Sequence, residues 1–251
     1  MATQKGVLKL EGTIGGITFY KSQDGYLARL KGGVSADKIA NDPKFQRTRE
    51  NGNEFGTAGK AGKVLRDSLR VILQNSSDNR MVSRLTQKMV EVLQADTTSI
   101  RGQRNVIDGE AELLEGFDFN INAKLSNTLY APYTPTIDRV TGEIKVVVPS
   151  YVPSDMIAAP GGTTHFKIVS SGVSVDFEKE LFDADSKESL LLAWDNTATT
   201  LLTLTNSVTP NSTHPLFLAV GIEFFQEVNG TKYPLKNGAY NALSIIKVSG
   251  V

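Results

Sequence analysis

Between Asp42 and Ala95 the apolar residues of this chain recur every three or four positions, and from about Phe117 onward they recur every two. A stripe of period 3.6 is buried by a helix and one of period 2 by a strand, so this switch divides the chain into a helix-bearing part and a sheet. Helices and strands segregated in this way give α+β architectures rather than alternating β/α units. The expected layout is a basic N-terminal β-hairpin and helical pair over residues 1–116, followed by an acidic, antiparallel immunoglobulin-like β-sandwich over residues 117–251.

Charge divides at nearly the same place. Residues 1–107 carry 18 Lys and Arg against 10 Asp and Glu, residues 108–251 carry 9 against 17, and the 251-residue chain is formally neutral. Opposite fields on two units of one chain favour association of unlike surfaces, which closes into rings or runs on as filaments. The chain has no cysteine, which removes disulfides, thiolate metal sites and thiol nucleophiles together. The first residues lack the apolar stretch of about 7 to 15 that a secretory signal needs, and no apolar run reaches the roughly 20 residues that span a bilayer. The expectation is therefore cytoplasmic synthesis without integral membrane insertion.

Val7 to Lys31 reads as sheet, with a Gly-rich turn at Gly15-Gly16 and a hairpin turn at Asp24-Gly25. Ile17 and Phe19 fall on one strand face and Thr18 and Tyr20 on the other. A lone two-stranded ribbon is marginal in water, so it must lean on the chain's own elements or on a neighbouring subunit. In the second case Ile17, Phe19, Tyr20, Tyr26 and Leu30 are the candidate assembly interface.

Asp42-Pro43 is a helix start signal, and a helical pattern runs to about Gln74 with Phe55, Ala58, Gly62, Leu65, Leu69 and Ile72 as its apolar stripe. Gly52, Gly56, Gly59 and Gly62 each cost a helix about 1 kcal/mol relative to alanine, which predicts a break over residues 51–57 and a restart near Thr57. A second helix is predicted over 78–95, with Val82, Leu85, Met89 and Val92 inward and an antiparallel return across Asn75-Ser76-Ser77. Lys44, Arg47, Arg49, Lys60, Lys63, Arg66 and Arg70 form a candidate basic face, extended by Arg80, Arg84, Arg101 and Arg104. Clustered cations suffice to bind phosphates, but five aromatics in residues 1–107 offer little base stacking. An acidic protein surface, including that of another copy, is thus expected ahead of nucleic acid.

In the C-terminal part, Thr136 to Val148 reads as a hairpin turning at Thr141-Gly142 and ending at Pro149. Further strands are predicted over 165–170, 173–181, 189–194, 200–206, 216–227 and 239–248, with Trp194 as a core candidate. Six or seven short strands with turns between them suggest a sandwich.

No catalytic constellation emerges. Gly56 to Lys63 resembles a phosphate loop, but Ala61 and Val64 stand where Ser or Thr should follow the lysines, leaving only a Gly/Lys-rich helix start that could bind an anion. Ser35 and Lys38 match Ser-x-x-Lys by letters alone. His165 and His214 are too few for a usual zinc site. Asp183, Asp185 and Glu188 lack the spacing of a calcium loop and read as a solvated loop. Catalytic residues, metal and cofactors are accordingly all expected to be none.

The segments Gly12 to Tyr20, Ala40 to Pro43 with Gln46 to Arg49, Phe224 to Gly230 and Tyr233 to Gly238 together resemble a large family encoded in Bacteroidetes genomes. The resemblance spans most of the chain, supports the helix-plus-sandwich layout, and implies no activity or functional residue. The expectation is a non-enzymatic, self-assembling structural protein, a homo-oligomer or part of a multi-protein assembly such as a phage particle. The alternative is a nucleic-acid-binding or packaging protein that uses the basic helices. A third class is a surface- or carbohydrate-binding β-sandwich.

Overall fold

A computed structural model describes residues 2–30 and 32–250. It is a mixed α+β chain whose sheets are all antiparallel. Contacts divide it into two compact units, Met1–Arg49 and Glu50–Val251. That division lies well upstream of the expected 116/117 boundary, because the helices share a core with the sheet that follows them.

The first unit holds β1 (Ala2–Thr3), β2 (Gly12–Ile14), β3 (Ile17–Ser22) and β4 (Gly25–Leu30) in the order β1-β4-β3-β2. Gly15 and Gly16 both take positive φ, 55° and 80°, as the two-residue turn between β2 and β3 requires. Lys31, the last residue of the expected sheet, lies outside the described residues. Helix α1 (Ala36–Asn41) starts at Ser35, whose hydroxyl accepts the Lys38 amide at 3.3 Å. The Ser35-x-x-Lys38 pattern is therefore a helix cap. Asp42 then caps a 3-10 turn, Pro43–Phe45, as its pairing with Pro43 predicts.

Helix α2 (Gln46–Ser68) and α3 (Arg70–Leu73) follow. The break expected over 51–57 does not occur. Gly52, Gly56 and Gly59 meet nothing within 4 Å of where a Cβ would sit, so they are tolerated on the open face of a long helix. Gly62 faces α4 (Met81–Gln94), where a Cβ would lie 3.6 Å from Leu85. Phe55, expected in the stripe, is 63% exposed, and buried Glu54 takes the inward position. In α4, likewise, Met81 is buried where Val82 was expected.

The large sheet of the second unit is built on two long paired strands, β7 (His165–Asp176) and β11 (Leu216–Val228). β8 (Leu181–Glu188) and β9 (Leu192–Ala193) pair on the far edge of β7, and β12 (Thr231–Pro234) and β13 (Ala242–Ser249) on the far edge of β11. The small sheet has the order β10 (Leu202–Ser207), β6 (Glu143–Val148), β5 (Thr134–Asp138). A short helix, α5 (Pro153–Met156), follows β6.

One core lies between the sheets, where Ile144, Val146 and Val148 meet Phe166, Ile168, Leu218, Val220 and Phe224. A second lies between the large sheet and the helices, where Val173, Phe217, Ala219 and Ile245 meet Leu65, Leu69, Leu85 and Met89. The large sheet is thus buried on both faces. β7 is one strand across the two segments predicted separately, and β8 occupies the run read as a solvated loop. The predicted strand 189–194 reduces to β9, and Trp194 sits at the margin of the core, donating to the Ile157 carbonyl at 3.4 Å. The fully buried Phe119, Phe166, Phe217 and Phe224 take its place.

Candidate assembly surface and basic face

The register of the N-terminal sheet fixes which side chains share a face. Ile14 lies opposite Ile17, Ile17 opposite Leu30, and Phe19 opposite Ala28. Paired residues and those two apart project alike, so Ile14, Ile17, Phe19, Tyr26 and Leu30 line one face. Tyr20 projects from the other with Thr18 and Arg29. Four of the five expected interface residues therefore come together, and Tyr20 does not join them. The cations divide in the same way, with Lys9 and Lys21 over the Tyr26 ring at 5.9 and 5.6 Å and Arg29 over Tyr20 at 5.6 Å.

None of the described residues of this unit is buried. Ile14 is 62% and Leu30 79% exposed, and Val7, Leu8 and Leu10 are exposed beside them in sequence. The edge strands are very short, a usual defence against pairing with a foreign strand, so the apolar face rather than an edge is the open surface. The strands expected to pair within or between chains are satisfied here within one chain.

The expected basic face is partly consumed by structure. Arg49 donates to the carbonyls of Ile39 and Asp42 at 2.8 and 3.0 Å, which closes the end of α1. Arg101 pairs with Glu50 at 3.6 Å and Arg104 with Glu54 at 3.9 Å. Arg84 is held by the Asp78 carboxylate and the Asp118 and Phe119 carbonyls. Arg66 is half-buried and donates to the Gly62 carbonyl at 3.2 Å. Lys60, Lys63 and Arg70 remain exposed on the open side of α2 and α3; Lys44 and Arg47 are exposed in the first unit. Because Gly56 to Lys63 lies inside α2, its amides belong to the helical ladder, and the anion-binding reading of a free helix start is overturned.

The segment that joins helices to sheet is organised by Asp96. Burial acts to raise its carboxyl, but hydrogen bonds from Ser99, Asn105 and Thr98 overcome this and hold it well below the ordinary value. His165 and His214 lie apart, each facing one carboxylate, Glu227 and Asp176, at 3.7 Å. Asp183 accepts the Thr209 amide at 2.6 Å and Asp185 the Ser207 amide at 3.0 Å, so both tie β8 to the end of β10. Among the described residues no cluster of three or more His, Asp or Glu side chains is placed to hold a metal ion, and no helix is long and apolar enough to cross a membrane.

A cavity of about 430 Å³ opens where the β7–β8 turn meets the loop of residues 209–214. Asp176 anchors this turn by accepting the Glu178 and Lys179 amides, both at 3.0 Å. The Lys179 amide is the main cause, ahead of the His214 ring, of the low value at which its carboxyl is held. Leu181 and Phe182, both exposed, lie on its wall. The exposed Leu-Phe pair at the start of a charged run was the one available sequence signal for this cavity. No protein-family model matches the chain, and no curated protein or solved structure is significantly similar to it.

Proposed function

We propose that this is a non-enzymatic structural protein whose copies associate through the apolar face of the N-terminal sheet, as a component of a phage particle or another large assembly. The observation that carries this reading is the row Ile14, Ile17 and Leu30, continued by Phe19, on a unit without a buried residue among those described. Covering such a face contributes about 25 cal/mol for each Å² of apolar surface removed from water, and a unit of this size has little other means of gaining stability. The charge division supports a second copy as the cover, since the first unit carries 9 Lys and Arg against 4 Asp and Glu while residues 108–251 are acidic. The two facing sheets then serve as an immunoglobulin-like body carried outward by the assembly.

Mass photometry with negative-stain microscopy of nucleic-acid-free, full-length protein tests this over a salt series of about 50 to 500 mM, which spans the screening range. Oligomers are expected for the native sequence, with Ile17→Lys/Leu30→Glu remaining monomeric. A native protein that stays monomeric at every salt and protein concentration overturns the reading.

The exposed Lys60, Lys63 and Arg70 favour a second reading, contact with a nucleic-acid backbone through the outer side of α2 and α3.

A further inference from the structure

The cavity at the β7–β8 turn has the composition that the N-terminal sheet lacks. Leu181 is 61% and Phe182 47% exposed on its wall, two large apolar side chains left in water on an edge strand. The segment around them, residues 176–188, carries six carboxylates against two lysines. Its volume of about 430 Å³ falls in the range that accepts an inserted group rather than a water cluster.

The N-terminal sheet presents the complement. Its Gly15-Gly16 turn makes a slim tip, and the first row behind that tip is Ile14, Ile17 and Leu30. Lys21 lies further back on the same face, over Tyr26. The cavity's own lining is mixed, with Lys179 and His214 beside Asp176 and Asp183. The fit therefore rests on the apolar tip against the Leu181–Phe182 wall and on Lys21 behind the tip facing the net-acidic 176–188 run, whereas two copies of the same basic face would repel one another.

Resting on the self-assembly reading, we propose that the acceptor for the Ile14–Ile17–Leu30 tip of one copy is the Leu181–Phe182 cavity of the next. Leu181 and Phe182 supply the apolar wall, and Asp176 and Asp183 line the cavity together with Lys179 and His214. The contact joins unlike surfaces, so each copy keeps a free tip and a free cavity, and association continues to a ring or a filament.

The test uses two full-length variants, Ile17→Glu/Leu30→Glu for the tip and Leu181→Ser/Phe182→Ser for the cavity, each required to melt at the temperature of the second unit in the native protein. A second cavity variant, Phe182→Lys, keeps the test open if the double serine variant unfolds. Each variant alone is expected to be monomeric where the native protein assembles, with its threshold concentration raised about tenfold or more, as loss of a central anchor implies. Mixed in equal amounts they are expected to form a one-to-one dimer and nothing larger, because only one intact tip and one intact cavity remain.

If the cavity variants assemble as the native protein does while the tip variant does not, the tip docks elsewhere, the cavity has another occupant, and this proposal fails with the self-assembly reading intact. A mixture that stays monomeric also overturns it, because one intact tip and one intact cavity are then not sufficient for the contact. A native protein that never assembles removes both readings together.

Discussion

Asn206 of the small sheet and Ser170 of the large sheet, both fully buried, hydrogen-bond across the core that separates them, Nδ2 to Oγ at 3.0 Å. The same Asn206 amide donates to the Ile144 carbonyl at 3.2 Å. A polar pair inside an apolar layer fixes how the sheets register, because any slip leaves a donor without an acceptor. Gly172 lies beside it, and a Cβ there would come within 2.9 Å of Asn206 and Ile144 side chains. The sheets meet closely because that position has no side chain.

Asn206→Ala is therefore expected to destabilise the second unit by about 2 to 4 kcal/mol, since it strands buried polar groups and opens a cavity. Gly172→Ala is expected to cost about 1 to 3 kcal/mol by overpacking. Urea denaturation followed by tryptophan fluorescence at Trp194 checks both, and an unchanged midpoint for either would mean the sheets do not meet in this register.

Asp96 gives a pH dependence of known sign. Its carboxyl is held below the ordinary value of 3.8 in the folded chain, so its contribution is fully present above that value and is lost as pH falls through the folded one. Asp185 acts in the same direction, with burial opposed and overcome by hydrogen bonds from Lys187 and the Ser207 amide. Asp96→Asn is expected to lower stability by about 2 to 3 kcal/mol near neutral pH. Its deficit relative to the native protein should shrink as pH is lowered from about 4 towards 2. Denaturant midpoints at matched pH values read this directly, and a deficit that stays constant to about pH 2 would remove Asp96 as the organising group.

The glycines of α2 make a prediction opposite to their usual reputation. Gly52, Gly56 and Gly59 are helical, with space for a Cβ at each, and Gly52 and Gly56 are exposed. Gly56→Ala should stabilise the protein by about 0.5 to 1 kcal/mol. A broken helix at this point would give no gain, so a rise in the thermal midpoint distinguishes the two conformations.

Where a residue's role depended on its own neighbours in sequence, the pattern revealed it. The alternation of Ile17 and Phe19, the Asp42 cap and the Thr136–Val148 hairpin are all local, and all are present in the fold. Long-range contacts concealed the rest. β7 and β11 are buried on both faces, so they show no alternation that would mark Val173 as continuing from Ser170 or set Phe217 against the helices. A glycine cluster that should break a helix survives because packing of Ala58, Ala61 and Leu65 on the opposite side holds α2 together. Asp183 and Asp185 looked like loop acids because an edge strand that docks through its carboxylates has the composition of a loop. Strand period alone places Ile17 and Phe19 on one face and Tyr20 on the other, as the register has them. The cavity could not, because its wall is completed by residues 209–214, distant in sequence from Leu181.

The basic face offers the most direct separation of the two functional readings. Once Arg49, Arg84, Arg101 and Arg104 are committed to internal partners, the outer side of α2 and α3 presents Lys60, Lys63 and Arg70. Three phosphate contacts on duplex DNA release counterions with a log–log salt slope of about −2.7, and a face this small is expected to bind only weakly at physiological ionic strength. The triple variant Lys60→Ala/Lys63→Ala/Arg70→Ala should abolish that binding and leave self-association unchanged, because none of the three lies in the N-terminal sheet or lines the Leu181–Phe182 cavity. Fluorescence anisotropy of a mixed-sequence duplex over about 20 to 200 mM salt supplies the slope. A slope near −10 would mean that cations beyond this face contact the duplex and would move the weight of the argument to packaging. A slope of zero would leave the three cations as a solvated helix face, with the apolar sheet as the surface that needs a partner.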